Sequence, residues 1–307
     1  MWELMQGAGR VADPYDRRIY DAVAQDAAAR VIDAYSSSFG LASRLLQSSV
    51  RDDVRNIYAL VRLADEVVDG PAGVGGPRHA GVLLDRLQAD TEDALSCGYS
   101  TNLIVHAFAR TARHCGIEPD LTSPFFASMR TDLSVRQHDA DSFSSYVYGS
   151  AEVVGLMCLR VFLAPRRRGR SSVTDLVAAP SYDELATGAR RLGAAFQKVN
   201  FLRDLSDDYL LRGRCYFPGI DPQHLTEGDK LRILDDIDAD LHEAADAIVR
   251  LPDSSRRAVA AAHAVFAELS HRLRTTPAEQ LVRRRVRVSG PTKLRLALMA
   301  GVRQGRR

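Results

Sequence analysis

Two segments of this chain carry carboxylates four residues apart in otherwise apolar, helix-periodic text, and any fold it adopts must accommodate those charges together. Around Gln197-Lys-Val-Asn200-Phe-Leu-Arg203-Asp204-Leu-Ser-Asp207-Asp208, the residues Leu192, Phe196, Val199 and Leu202 mark a core-facing side. Asn200, Asp204 and Asp208 then form a separate row, one turn apart. Gly213 and Pro218 close the periodic segment, so the row sits in the last turns of its helix. Upstream, Val54, Ile57, Val61, Ala64 and Val68 make an apolar stripe, while Tyr58, Arg62, Asp65 and Asp69 follow an adjacent face. Gly70-Pro71 stops that helix. Its aspartates therefore stand near the negative end of the helix dipole, where an exposed carboxylate is disfavoured by about 0.3–1 kcal/mol. A bound cation reverses that penalty.

The remaining text reads as helices separated by loops, with the stretch from Pro218 to Lys230 loop-like. Residues 1–20 are weakly patterned and read as a peripheral lead-in to a domain over 21–307. Ala22 to Tyr35 is alanine-rich, and Ser36-Ser-Ser38-Phe39 breaks it as a cap or turn. Pro71-Ala-Gly-Val-Gly-Gly-Pro77 follows a helix rather than a strand and lacks the Lys-Ser/Thr ending of a phosphate loop. Helical periodicity returns at 79–95, 101–116, 231–250 and 254–274, with a last helix from about Pro291. His106 and His114 read as ordinary surface or half-buried histidines. Gly149, Ala151 and Gly155 thin a helix face, which suits close helix packing and a lined cavity equally. Pro165-Arg-Arg-Arg reads as a surface loop, and Ser181 with Glu184 as a capping box opening the second acidic helix. No long alternating pattern occurs, so the expectation is a single all-α unit.

With a formal net charge of +2 over 307 residues, nucleic-acid binding gets no global support. Cys97, Cys115, Cys158 and Cys215 make no CxxC pair, which argues against a disulfide framework or a zinc-cysteine site. The N-terminus lacks a secretion signal, and the apolar window from Val153 meets Arg160 before it spans a bilayer. A cytoplasmic protein is expected, with peripheral contact on the inner face of the cell membrane.

Either acidic row alone suits a solvated salt-bridge face. Facing each other, Asp65, Asp69, Asn200, Asp204 and Asp208 gather oxygen donors that select Mg²⁺, or alternatively Mn²⁺, over zinc. Arg62, Arg203, Arg212 and Arg214 complete the neutralisation from the rim, and the implied substrate is a diphosphate.

Together these segments resemble the phytoene synthase and squalene synthase family, the head-to-head trans-prenyl transferases of an all-α isoprenoid-synthase fold. Arg62-x-x-Asp65-Glu66-x-x-Asp69 resembles the first aspartate motif of that family, and Gln197-x-x-Asn200-x-x-Arg203-Asp204-x-x-x-Asp208 the second. Arg212-Gly213-Arg214-Cys-Tyr216-Phe-Pro218 is similar to its Arg-Gly-Arg-x-Tyr-Leu-Pro signature, and Arg285 through Lys293 to its C-terminal Arg-Val…Lys element. Tyr146 to Gly155 retains Tyr146, Ala151, Val154 and Gly155 of a central segment, with Ser150 in place of valine. Tyr35 and Ser37 stand where histidine and a basic residue are frequent.

The resemblance implies a bundle around an apolar cavity, with Asp65, Asp69, Asn200, Asp204 and Asp208 as metal ligands and with Tyr58, Arg62, Tyr146 and Arg203 sharing the catalytic work. It implies substrate contacts from Ser36, Ser38, Phe39, Tyr58, Arg62, Tyr146, Ala151, Val154, Gly155, Gln197 and Arg203. Arg212, Arg214, Tyr216, Arg285 and Lys293 complete that set. The implied reaction is Mg²⁺-dependent condensation of two geranylgeranyl diphosphates through a cyclopropyl diphosphate to phytoene, in carotenoid biosynthesis, with no NADPH. Condensation of two farnesyl diphosphates to squalene or dehydrosqualene is the alternative within the family, and a non-catalytic helical scaffold the alternative outside it. The basic end, with Leu294, Leu296, Leu298 and Met299, suits contact with an anionic membrane and delivery to downstream carotenoid enzymes.

Overall fold

The computed structural model describes residues 14–70, 75–165 and 180–304. In chain order the helices are α1 (Pro14–Tyr35), α2 (Ser37–Ser43), α3 (Ser48–Asp69), α4 (Pro77–Cys97), α5 (Leu103–Cys115), α6 (Pro119–Ser134), α7 (Ala140–Val147) and α8 (Val153–Leu163). There follow α9 (Tyr182–Arg212), α10 (Glu227–Ile248), α11 (Asp253–Thr275), α12 (Ala278–Leu281) and α13 (Gly290–Gln304). Among the described residues the only β-type pairing is one isolated bridge, Gln137 to Cys215.

Two packed halves enclose the site. In one, Ile57 and Leu60 of α3 pack with Leu84, Phe108, Phe125, Phe126 and Met157 from α4, α5, α6 and α8. In the other, Val199, Leu202 and Leu205 of α9 pack with Leu234, Ile237, Phe266 and Leu273 from α10 and α11. The halves meet where α8 lies along α9. There a Cβ on Gly155 would stand 2.4 Å from the Ala189 carbonyl oxygen, and one on Gly193 2.5 Å from that of Ala151, so only glycine permits the approach.

Helix ends follow the local chemistry. Ser181 and Glu184 form the expected capping box of α9. At its other end Gly213 takes a left-handed φ of 64°, and the Arg214 N–H donates to Asp208 O at 3.0 Å. Ser36 caps α2, its Oγ accepting the Phe39 N–H at 3.0 Å. A π-helical turn over Tyr148–Glu152 joins α7 to α8, giving one continuous helix from Ala140 to Leu163. That helix is long and apolar enough to cross a membrane, Arg160 notwithstanding, yet half of its most apolar window is buried inside the bundle.

Two features differ from the sequence reading. Helix α1 begins at Pro14 and runs unbroken through residue 20, where Arg17 and Tyr20 donate to the carbonyls of Gly98 (3.2 Å) and Ser100 (2.8 Å). His106 is fully buried rather than half-buried, because Asp21 of α1 accepts its Nε2–H at 2.8 Å while Nδ1 accepts the Ser100 N–H. The segment 71–74, inside the expected Pro71–Pro77 loop, and the segment 166–179, which takes in most of the expected loop from Pro165 and runs beyond it, lie outside the described residues.

Candidate active site

A cavity of about 960 Å³ runs between the two halves. Helix α9 forms its full length, with Leu185 and Gly188 at the closed end, Phe196 midway, and Asn200, Asp204 and Asp208 at the open end. At 1.5 Å per residue, Leu185 to Asn200 spans roughly 22 Å. Helix α3 lines the opposite wall with Tyr58, Arg62, Asp65 and Asp69.

The two carboxylate rows meet at the mouth. The Arg212 guanidinium is shared between them, 3.0 Å from Asp208 Oδ1 and 3.6 Å from Asp69 Oδ2. Arg214, turned back by Gly213, donates to Asp69 Oδ1 at 2.7 Å. Asp204 accepts from Arg203 at 2.9 Å and from Arg285, at the start of the C-terminal segment, at 2.7 Å. Arg62 pairs with Glu66 one turn along α3.

Burial pushes the Asp65 carboxyl up to about 7, Arg62 opposing and Asp69 reinforcing the shift. Part of Asp65 still faces the cavity, so this is burial within a protein-walled space. Asp208 is pushed up to about 6 by burial, with Arg212 opposing.

A third acidic group, on α6, is absent from the sequence reading. Asp132 is buried in the cavity wall and accepts the hydroxyls of Tyr146 (2.6 Å) and Tyr216 (3.1 Å). Burial raises its carboxyl to about 6, with Arg214 and the tyrosine hydroxyls opposing. The approach of α6 depends on Gly149, where a Cβ would lie 2.1 Å from Ser128 Oγ. One signal was available: Asp132 follows Phe125 and Met129 on the buried face of α6, a position that ordinarily carries an apolar side chain.

Other expected residues sort by depth. Ser36, Phe39, Ala151, Val154, Gly155 and Gln197 line the cavity, as do Tyr146 and Tyr216. Phe39 lies 5.7 Å from both Phe196 and Phe266, which stack at 3.8 Å. Lys293 of α13 lines the mouth, where burial and Arg203 hold its ammonium below the ordinary value. Arg214 stands behind the wall, reaching the site through Asp69 and Tyr216. The Ser38 side chain lies outside the described residues.

Residues 32–292 match the profile of the family described as squalene/phytoene synthase. The chain belongs to the squalene/phytoene synthase family. As a squalene/phytoene synthase family member it is 32% identical over 191 residues to a 15-cis-phytoene synthase of Paracoccus sp. (strain N81106 / MBIC 01143), covering 60% of this chain and 56% of that protein. It is 30% identical over 186 residues to the chloroplastic phytoene synthase 3 of Zea mays, covering 60% of this chain and 40% of that one. It thus spans about half the length of these relatives. Its fold is that of a solved dehydrosqualene synthase, with a TM-score of 0.74 at 18% identity over 96% of this chain and 100% of the other. The squalene synthase HpnC of Alicyclobacillus acidocaldarius superposes with a TM-score of 0.69 at 16% identity, over 87% and 97% of the two chains.

The mouth fits a hard divalent cation in donor chemistry. All five expected ligands offer oxygen, the donor that hard divalent cations select, and Asp65, Asp69, Asn200, Asp204 and Asp208 all line the cavity. Among the described residues no three acidic, histidine or cysteine side chains converge on one point. Mg²⁺ tolerates that, since it takes one or two carboxylates and fills its shell with water and phosphate oxygens.

Proposed function

We propose that this protein condenses two molecules of geranylgeranyl diphosphate head to head, through a cyclopropyl diphosphate, to phytoene. The observation carrying this reading is the Arg212 guanidinium shared by Asp69 and Asp208 at the open end of a long apolar cavity. Membership of the family and likeness to a 15-cis-phytoene synthase support the prenyl diphosphate and the product.

Asp65, Asp69, Asn200, Asp204 and Asp208 would hold Mg²⁺, with Mn²⁺ as a substitute. When bound, the cation neutralises the departing diphosphate and so favours ionisation of the allylic donor. Arg62, Arg203, Arg285 and Lys293 orient the diphosphates from the rim. The faces of Phe39, Tyr58, Phe196 and Phe266 stabilise the allylic cation, each by about 0.5–2 kcal/mol. The chamber below excludes water, which would otherwise quench it as an alcohol. Asp132 fixes the Tyr146 hydroxyl at the cavity wall. Each stage ends in proton loss, so no reductant is required.

The decisive experiment is product analysis with C15 and C20 diphosphates, each with and without NADPH and Mg²⁺. Phytoene from the C20 substrate with Mg²⁺ alone is expected. Absence of diphosphate release from either substrate removes the reading, and turnover of C15 alone moves it to squalene or dehydrosqualene formation.

The reading includes a cytoplasmic protein that touches the inner membrane face through α13 and passes product to downstream carotenoid enzymes. Leu294, Leu298 and Met299 are exposed there beside Arg295. Cofractionation with anionic vesicles is expected; no binding at any ionic strength ends this part.

A further inference from the structure

The arginines at the mouth divide by what they hold. Arg203 and Arg285 pair with Asp204, Arg212 with Asp69 and Asp208, and Arg214 with Asp69, so each is committed to a carboxylate expected to hold the cation. Arg62 differs. Its ion pair is with Glu66, one turn along α3 and outside the expected ligand set. The Glu66 carboxylate is itself folded back on the helix end, where a Cβ on Gly70 would stand 2.5 Å from its Oε2. The second support is an aromatic face: the Arg62 guanidinium carbon lies 4.3 Å from the centre of the Tyr35 ring. The buried Arg62 Nε meets no acceptor among the described residues, so the ring and Glu66 are what hold the group.

Tyr35 reaches that position because its backbone is fixed on both sides. It is the last residue of α1, where the Ser36 N–H donates to Ile32 O at 3.0 Å, and Ser36 in turn caps α2. Helix α1 is pinned to α3 by Ala24 and Ala28, which pack with Ala59, and by the amides of Gln25 and Asn56, which exchange two hydrogen bonds of 3.0 Å. The same two helices therefore bring the ring and the guanidinium into contact. The ring is 53% exposed and lines the cavity together with Arg62 and Asp65, so it contributes to the mouth rather than to the core.

An arginine that neutralises a ligand carboxylate must leave it to take a substrate oxygen, whereas Arg62 can turn from Glu66 without uncovering one. A guanidinium offers phosphate oxygens the N–H groups along its edge, and an aromatic face beneath it holds the plane while leaving that edge free. We propose that Tyr35 is a positioning residue, its ring face holding the Arg62 guanidinium ready for the diphosphate of the incoming substrate. The assignment rests on the condensation reading and adds how one arginine is kept available to the headgroup.

The test is affinity for inorganic diphosphate with Mg²⁺, read by titration calorimetry on the full chain, beside KM and kcat for the C15 and C20 diphosphates. Tyr35→Leu removes the ring from a half-exposed helix end. Diphosphate binding should weaken about three- to fivefold and KM should rise by the same factor, with kcat unchanged. Tyr35→Phe keeps the ring face and should restore both to within about 1.5-fold of the wild type. In an Arg62→Met background Tyr35→Leu should add nothing, since no guanidinium is left to hold. Should Tyr35→Leu not fold, Tyr35→Met is read in its place. Wild-type diphosphate affinity in Tyr35→Leu overturns the assignment, as does a Tyr35→Phe protein impaired as far as Tyr35→Leu, or a full Tyr35→Leu loss that persists beside Arg62→Met. A wild type that binds inorganic diphosphate but turns over no prenyl diphosphate removes the condensation reading, and the titration still decides for or against Tyr35.

Discussion

The two ends of the cavity are held in opposite ways. At the mouth, carboxylates from α3 and α9 are kept together by four guanidinium groups, and burial penalises the charge on Asp65 and Asp208. In the chamber, space persists between walls whose backbones already touch at Gly155 and Gly193. The mouth is organised for a ligand at the expense of the fold, whereas in the chamber shape alone serves both. Substitutions at the mouth should therefore separate stability from activity.

The largest expected effect is from Asp204→Ala, which should lower prenyl diphosphate turnover by on the order of 10³-fold while the protein unfolds at an unchanged or higher urea concentration. A matching loss of stability would break the contrast. Next comes Arg214→Met, which takes from the buried Asp132 and the exposed Asp69 the guanidinium they share. Removing one partner of a buried ionic network costs about 3–5 kcal/mol, to be read from denaturant midpoints.

A smaller effect is linked to pH. The Asp65 carboxyl titrates near 7 in the folded protein and near 3.8 when free, so between those values the folded state holds a proton that the unfolded state has lost. Stability without a divalent cation should thus fall as pH rises from about 4 to 7 and stay reduced above it, by on the order of 1–2 kcal/mol. Asp65→Asn should flatten that slope and abolish turnover, and urea midpoints at pH 5 and pH 8 check it. Asp208 and Asp132 add to the slope below about pH 6. The smallest stability effect belongs to the stacked pair Phe196 and Phe266. Phe196→Leu should cost less than about 1.5 kcal/mol in stability yet slow turnover about tenfold through the lost ring face.

The acidic helices were legible because each carries its own punctuation. Ser181 with Glu184, Gly213 and Gly70 mark ends that depend on neighbouring residues alone, and the carboxylate rows follow from helical spacing. Their meeting was inferable from chemistry, since both rows need the same counter-charge. What escaped depends on distant partners. Asp132 reads as one charge in a mixed segment until α7 delivers Tyr146 and the turn after α9 delivers Tyr216. His106 reads as a surface or half-buried residue until Asp21, 85 positions away, is placed against it. The π-helical turn at Tyr148 carries no spacing signal, because its extra residue is accommodated by packing around Gly149.

Arg212 has one further consequence. It already occupies the gap between Asp69 and Asp208 as a tethered countercharge. A free cation entering alone must evict it into water with nothing to receive it. When diphosphate enters at the same time, the guanidinium exchanges one anionic neighbour for another and can swing outward at little net cost. Cofactor affinity should consequently be weak in the resting enzyme and rise with substrate, which makes loading of the site an ordered event set by one arginine.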